Sequence, residues 1–190
     1  MPAALHLCRL GYTYLDDIAD YNPDTNILTG IFLRSLRRLN PELDETGSHQ
    51  MLDKIVGMLR NDDLGREFYT LLSANSGLKL VDFENADNNE WHVTTEFTCE
   101  NSDTGDSFRP DITCFVNGLP LAFIEVKKPN NHDGILAERD RINRRMSNRA
   151  FRRFINITQL MIFSNNQEYD NDNRVPIQGA FYCCISENKA

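Results

Sequence analysis

The stretch from Arg109 to Lys128, RPDITCFVNGLPLAFIEVKK, decides how the rest of the chain is read. Two β-rich runs, 111–116 and 119–127, flank Asn117-Gly118. An Asn-Gly pair between apolar runs is the strongest short-range hairpin signal, because both residues tolerate positive φ. On the second run Glu125 and Lys127 are two residues apart, so their side chains leave the same face of a strand. Phe123, Ile124 and Val126 around them are apolar, which makes this a costly place for charge unless something compensates it. A divalent cation together with a phosphate would do so.

Whether Asp111 joins that pair depends on the turn. A strict two-residue loop opposes Asp111 to Ile124 and points it away from Glu125. A three-residue loop, Val116-Asn117-Gly118 with Gly118 left-handed, opposes it to Phe123 and sets it diagonal to Glu125 on one face. The three-residue loop, or an equivalent bulge, is therefore the expectation. Two carboxylates and a backbone carbonyl, that of Val126, leave open positions on an octahedral Mg²⁺. Such an ion polarises a phosphodiester oxygen and acidifies bound water, with Lys127 to orient that water and offset developing charge. The bare D…E-x-K pattern is weak, and a salt bridge on a hairpin accounts for it equally well. Its context is stronger: a Pro-Asp entering a strand, a hairpin turn, then an apolar strand delivering Glu-x-Lys.

Outward from this hairpin, the order is helices, strands, helix, strand. Before it, residues 4–10 read as helix stopped by Gly11, and Asn26 as the cap of a helix bearing Leu28, Ile31, Phe32, Leu36 and Leu39. Further helices are expected at about 48–60 and 64–72. After Gly77 the period changes from helical to two: Leu78, Leu80 and Phe83 outline one strand, and Trp91 to Cys99 another by alternation. On the far side an arginine-rich helix is expected at about 135–151, a strand at 159–164 and one or two strands within 175–185. This order suggests an α/β chain with a mixed sheet and helices on its faces. Helical residues 1–75 and a core at 76–190 together make one domain.

The chain has 190 residues and a net charge of −8, which taken alone argues against nucleic acid. Seven arginines and a single acid, Asp140, lie between Arg139 and Arg153, however, and phosphate binding depends on the local field. That helix is either a solvated face or a DNA contact, with Arg139, Arg141, Arg144, Arg145 and Arg149 as candidates. Five cysteines (Cys8, Cys99, Cys114, Cys183, Cys184) form no C-x-x-C pair and read as core thiols of a reducing cytoplasm. The histidines His6, His49, His92 and His132 show no ligand spacing. Neither a membrane-length apolar stretch nor a secretory leader is legible, so a cytoplasmic location is expected.

The decisive stretch also resembles the signature of type I restriction enzyme R subunits, within the PD-(D/E)xK nuclease superfamily. Val116-Asn117-Gly118-Leu119-Pro120-Leu121 followed by Ile124-Glu125-x-Lys127 is long and specific. The flanks agree: Leu10-Gly11-Tyr12-x-Tyr14-Leu15, Asn88-Asn89-Glu90-Trp91-His92-Val93, and Asn156-Ile157-Thr158-Gln159 through Asn166, so the likeness runs from about Leu10 to Tyr169. It implies a restriction-endonuclease-like mixed sheet flanked by helices with an N-terminal helical annex. Asp111 and Glu125 would hold Mg²⁺, and Lys127 would be the catalytic lysine. It also implies a longer parent with ATP-driven translocase domains, working with methyltransferase and specificity subunits on double-stranded DNA. No G-x-x-x-x-G-K-[ST] phosphate loop occurs in this sequence, so the chain is expected to be an N-terminal piece that does not itself hydrolyse ATP.

Two features depart from the resemblance. Many relatives carry Gln-x-x-x-Tyr on the helix after the catalytic strand, where this chain reads Ala137-Glu138-Arg139-Asp140-Arg141-Ile142-Asn143-Arg144-Arg145. Arg139 and Arg141 are the candidates on this helix for that DNA-facing duty. An acid from the first helix often helps hold the metal, and Glu67 is the substitute candidate here. Three functions remain open: an endonuclease domain that does not read sequence, a catalytically silent docking module, and a metal-free nucleic-acid scaffold.

Overall fold

The computed structural model describes residues 2–100, 107–128, 134–164 and 182–184, with the side chains of 2, 100, 134–136 and 182–184 left aside. The helices are α1 (Pro2–Arg9), α2 (Thr29–Leu39), α3 (Glu45–Met58), α4 (Arg66–Leu72), α5 (Gly134–Met146) and α6 (Arg152–Ile157). The strands are β1 (Thr13–Tyr14), β2 (Trp91–Thr95), β3 (Cys99–Glu100), β4 (Ser107–Phe108), β5 (Ile112–Val116), β6 (Leu119–Val126), β7 (Leu160–Ser164) and β8 (Tyr182–Cys184). Six of them form one mixed sheet in the order β1-β2-β5-β6-β7-β8. The β1/β2 and β6/β7 pairs are parallel and the others antiparallel. The fold is α/β, a mixed sheet flanked by helices, as a restriction-endonuclease-like architecture requires.

Helix α1 covers one face of the sheet, where Ala3, Leu7 and Cys8 pack on Val93, Ile112, Cys114 and Ile124. On β6, Phe123 and Glu125 leave the opposite face, and Phe123 belongs to a cluster with Phe163 of β7, Phe154 of α6 and Ile142 of α5. A third cluster joins α2, α3 and α4 through Phe32, Leu36, Ile55, Leu59 and Phe68 to Val116 and Leu119 of the hairpin. The N-terminal helices therefore grip the turn end of β5/β6, and α5 lies near its open end.

That grip is specific. Asn117 and Gly118 have φ of 51° and 81°, the positive values that a two-residue turn demands of both positions. The Asn117 side chain, fully buried, donates to Leu80 O and Asn89 Oδ1 and accepts from the Glu90 amide. Glu90 in turn pairs with Arg34 of α2 at 2.6 Å. Gly118 O accepts from the Leu28 amide at 2.9 Å, and a Cβ at residue 118 would sit 2.7 Å from both Leu28 O and Phe32 N. The Val-Asn-Gly-Leu-Pro-Leu core of the resemblance is thus a docking motif for α2, and none of its side chains needs to be chemical.

Several expectations change. The turn is a two-residue one pairing Val116 with Leu119, not the expected three-residue loop. Residues 78–83 form no strand: Leu80 and Val81 are buried while Phe83 is 71% exposed, and Asp82 organises a turn by accepting from the Glu84 and Asn85 amides. The run from Trp91 to Cys99 breaks at Glu96, whose φ is 54°, so Cys99–Glu100 pairs with Ser107–Phe108 in a separate ribbon. Asn26 is not the cap of α2; it is left-handed itself (φ 62°), and Asp20 Oδ2 accepts the Gly30 amide instead. The arginine helix stops at Met146, and a short helix the periodicity did not reveal, α6, follows. Of the span 175–185, only 182–184 is described, as β8; His132 lies outside the described residues.

Replacing Gly118 with alanine is expected to lower stability by about 2 kcal/mol or more, because the new Cβ meets backbone and the φ is positive. Urea unfolding measures it; an unchanged midpoint would remove the hairpin–α2 clamp from this account.

Candidate active site

Position along the hairpin is set by one extra residue. Near the turn Val116 faces Leu119 and Phe115 faces Pro120, but beyond it Cys114 faces Ala122. Leu121 is the bulged residue, and its carbonyl accepts from the Gln159 amide at 2.7 Å. From there Thr113 pairs with Phe123 and Ile112 with Ile124, which brings Asp111 level with Glu125. The bulge achieves what the three-residue loop was expected to do. Asp111 and Glu125 both lie on the face that carries Thr113 and Phe123.

The Asp111 carboxylate accepts the Val126 amide at 2.7 Å, which locks it against the end of β6. Lys127 extends from the same face as Glu125, its amide anchored by Ser164 O of β7 at 2.7 Å. Its Nζ sits 3.4 Å from Glu125 Oε2 and 3.0 Å from Glu138 Oε2. Asp111, Glu125 and Lys127 are therefore brought together, with the Val126 amide beside Asp111.

Glu138 joins this cluster, and sequence reasoning did not single it out. It comes from α5, is 2% exposed, and bonds Arg141 Nη1 at 3.0 Å, with Arg145 Nη1 4.0 Å away. The signal was present: Glu138 lies four residues before the fully buried Ile142, on the apolar stripe of a helix otherwise read for its arginines.

The electrostatics of the cluster are uneven. Burial, then the negative charges of Asp111 and Glu138, push Glu125 up to about 7 against the partial relief from Lys127. Burial alone would lower the Lys127 ammonium, but the carboxylates of Glu138 and Glu125 outweigh it and hold the group above its usual range. Lys127 stays charged, while Glu125 is an acid short of positive charge. A carboxylate raised by burial and by like charge marks a candidate functional site.

The arginine candidates separate. Arg145 turns inward, its guanidinium 4.0 Å over the Phe108 ring, and burial lowers its pKa. Arg141 is tied to Glu138, and Arg139 pairs with Asp140 at 3.1 Å. Arg152 and Arg153 bridge to Asp62 and Asp24. Arg144 and Arg149 are exposed. Glu67 is exposed on α4, bonded by the Asn61 side chain, and nothing among the described residues links it to Asp111 or Glu125. The Gln159 side chain turns back on the carbonyl of Ile157. Cys99 and Cys114 are buried free thiols.

Residues 1–170 match the family described as the type I restriction enzyme R protein N terminus. The chain belongs to this family. Among curated proteins it is similar to one of Methanocaldococcus jannaschii named for a type I restriction enzyme MjaIXP endonuclease subunit, 30% identical over 155 residues, 68% of this chain and 15% of that protein. It is also similar to the type I restriction enzyme HindI endonuclease subunit of Haemophilus influenzae, 32% identical over 114 residues, 50% of this chain and 10% of that protein. The R-protein N-terminal chain thus spans a small part of the length of its curated relatives. No helix among its described residues is long and apolar enough to cross a membrane.

Because folding raises the Glu125 carboxyl from an ordinary 4.5 to about 7, ionising it opposes the fold. The cost is absent below about pH 4.5 and complete above about pH 7, where it amounts to roughly 3 kcal/mol. In metal-free buffer Glu125→Gln should therefore match the parent protein in stability at pH 4.5 and exceed it at pH 8. Equal unfolding midpoints at pH 8 would show that this carboxyl carries no uncompensated charge.

Proposed function

We propose that this chain is the Mg²⁺-dependent endonuclease domain of a type I restriction enzyme R subunit, cutting phosphodiester bonds of double-stranded DNA. The observation that carries it is the convergence of Asp111, Glu125 and Lys127 at one end of a hairpin, with Glu125 left short of positive charge. Asp111, Glu125 and the Val126 carbonyl would hold the ion. This donor set fits a hard divalent cation, being all oxygen. With two carboxylates and one carbonyl as donors, the ion's other positions would be filled by water and phosphate. When bound, the ion supplies Lewis-acid polarisation of the phosphodiester and a more acidic water.

The chain's own residues do the rest. Asp111 is oriented through its bond to the Val126 amide, so it does not reorganise as substrate arrives. Lys127 presents a lasting positive charge beside the site, able to donate to a water or to a phosphate oxygen as negative charge develops there. Buried Phe123 and Phe163 lie beside Glu125 on the same face, exclude water from that side and strengthen these interactions. Sequence recognition, methylation and ATP-driven translocation belong in this reading to other subunits and to further domains of the parent protein. Cytoplasmic DNA is the substrate.

Exposed Arg144 and Arg149 are the α5-side residues best placed to meet DNA phosphates. Arg144→Ala should weaken DNA binding and make its salt dependence shallower, by about one counterion per lost contact. Binding unaffected by either arginine would move the DNA path away from α5.

In the assembled enzyme, Asp111→Asn and Lys127→Ala should each slow Mg²⁺-dependent plasmid cleavage by about 100-fold or more while DNA binding persists. Cleavage at the parental rate by both variants would leave the silent docking module as the function.

A further inference from the structure

Glu138 is a nearly inaccessible carboxylate, and burying such a charge costs several kcal/mol unless it is fully partnered. Its partners are unequal in role. Arg141 bonds both carboxylate oxygens, at 3.2 and 3.0 Å, from one turn along the same helix. Lys127 reaches the same Oε2 at 3.0 Å from the sheet, closer than its 3.4 Å to Glu125. A lysine on a flexible stem has several rotamers and loses substantial entropy when fixed. With Glu125 as its sole partner, the ammonium would collapse onto the carboxylate meant for the ion. Glu138 pulls from the other side, so Nζ stands between two carboxylates. Arg145, stacked on Phe108, adds positive charge 4.0 Å from Glu138 Oε1 without bonding it.

We infer that Glu138 is a positioning residue for the cleavage reaction: it holds the Lys127 ammonium off Glu125, in place for the scissile phosphate, and α5 carries it there. This rests on the proposed role of Lys127. Glu138 touches neither DNA nor water in this scheme and acts through Lys127 alone. The fork made by Arg141 and Arg145 neutralises Glu138 from the helix side, so Lys127 is not drained of its capacity to donate. The same arrangement accounts for two of the α5 arginines without invoking DNA.

The test is single-turnover plasmid cleavage by the complete enzyme carrying Glu138→Gln, Glu138→Asp, Lys127→Ala or Lys127→Ala with Glu138→Gln, each read against DNA concentration. Glu138→Gln should cut about 10- to 100-fold more slowly at saturating DNA, with the half-saturating concentration unchanged. Glu138→Asp, which keeps the charge on a shorter stem, should recover part of that loss. The double variant should be no slower than Lys127→Ala. A parental rate for Glu138→Gln, a change confined to half-saturation, or a double variant slower by the full single-variant factor would each overturn the inference. Should Glu138→Gln fail to fold, Glu138→Asp decides, since a parental rate at saturation excludes the role. Parental cleavage by Lys127→Ala would instead refute the nuclease reading on which all this stands.

Discussion

Leu121 has no partner on β5, and the consequence reaches every charged group at the far end of the hairpin. Strand side chains alternate with a period of two, so a one-residue offset moves an entire strand to the other face. The tight Asn117-Gly118 turn by itself would oppose Asp111 to Ile124 and separate it from Glu125. The bulge adds the missing residue to β6, and the acids come level. Because a bulged peptide leaves ladder groups unpaired, it survives only where something else takes them. Here the Gln159 amide, leading into β7, takes the Leu121 carbonyl. The register of the site is therefore held from outside the hairpin, by the strand on its other side.

Charge at the site follows from the same placement. Glu125 and Glu138 are both buried, and the two carboxylates share one lysine, Lys127. Arg141 and Arg145 approach the Glu138 charge from α5, whereas Glu125 has only its share of Lys127. A fold selected for stability alone would fill this position with an apolar side chain, as β6 does at Phe123. An ion pair that is buried yet incompletely balanced is more readily understood as a binding site than as a staple. The arginine-rich helix serves two purposes at once, neutralising a buried acid on one side and presenting Arg144 to solvent on the other. That division explains how a chain of net charge −8 can still offer a basic surface.

The helical N-terminal segment supports the hairpin. Asn117 and Gly118 present their backbone to α2 at a distance that excludes any Cβ at residue 118, and Glu90 with Arg34 seals the contact. The β5/β6 hairpin is thus clamped at its turn by α2, at its middle by the β7 approach, and at its mouth by α5. Rigidity on all three sides suits a site whose groups must hold geometry within a fraction of an ångström.

Several features were legible from residues alone because they depend on nearest neighbours. The Asn-Gly turn, the shared face of Glu125 and Lys127, and the amphipathic helices all follow from local periodicity. Family membership was equally legible, since the hairpin motif and its flanks are written in linear order. The strand expected at residues 78–83 was not there because an apolar run becomes a strand only if a partner edge is free, and Asn117 and Asn89 had already organised that segment. Pro120, a residue that central strands admit only at irregularities, marked the bulge without saying which way it would shift the register. The tertiary structure alone decided that Asp111 meets Glu125 and that Glu138 meets Lys127. Both depend on contacts between segments distant in sequence, whose relative placement is fixed by packing against a common sheet and by no local rule.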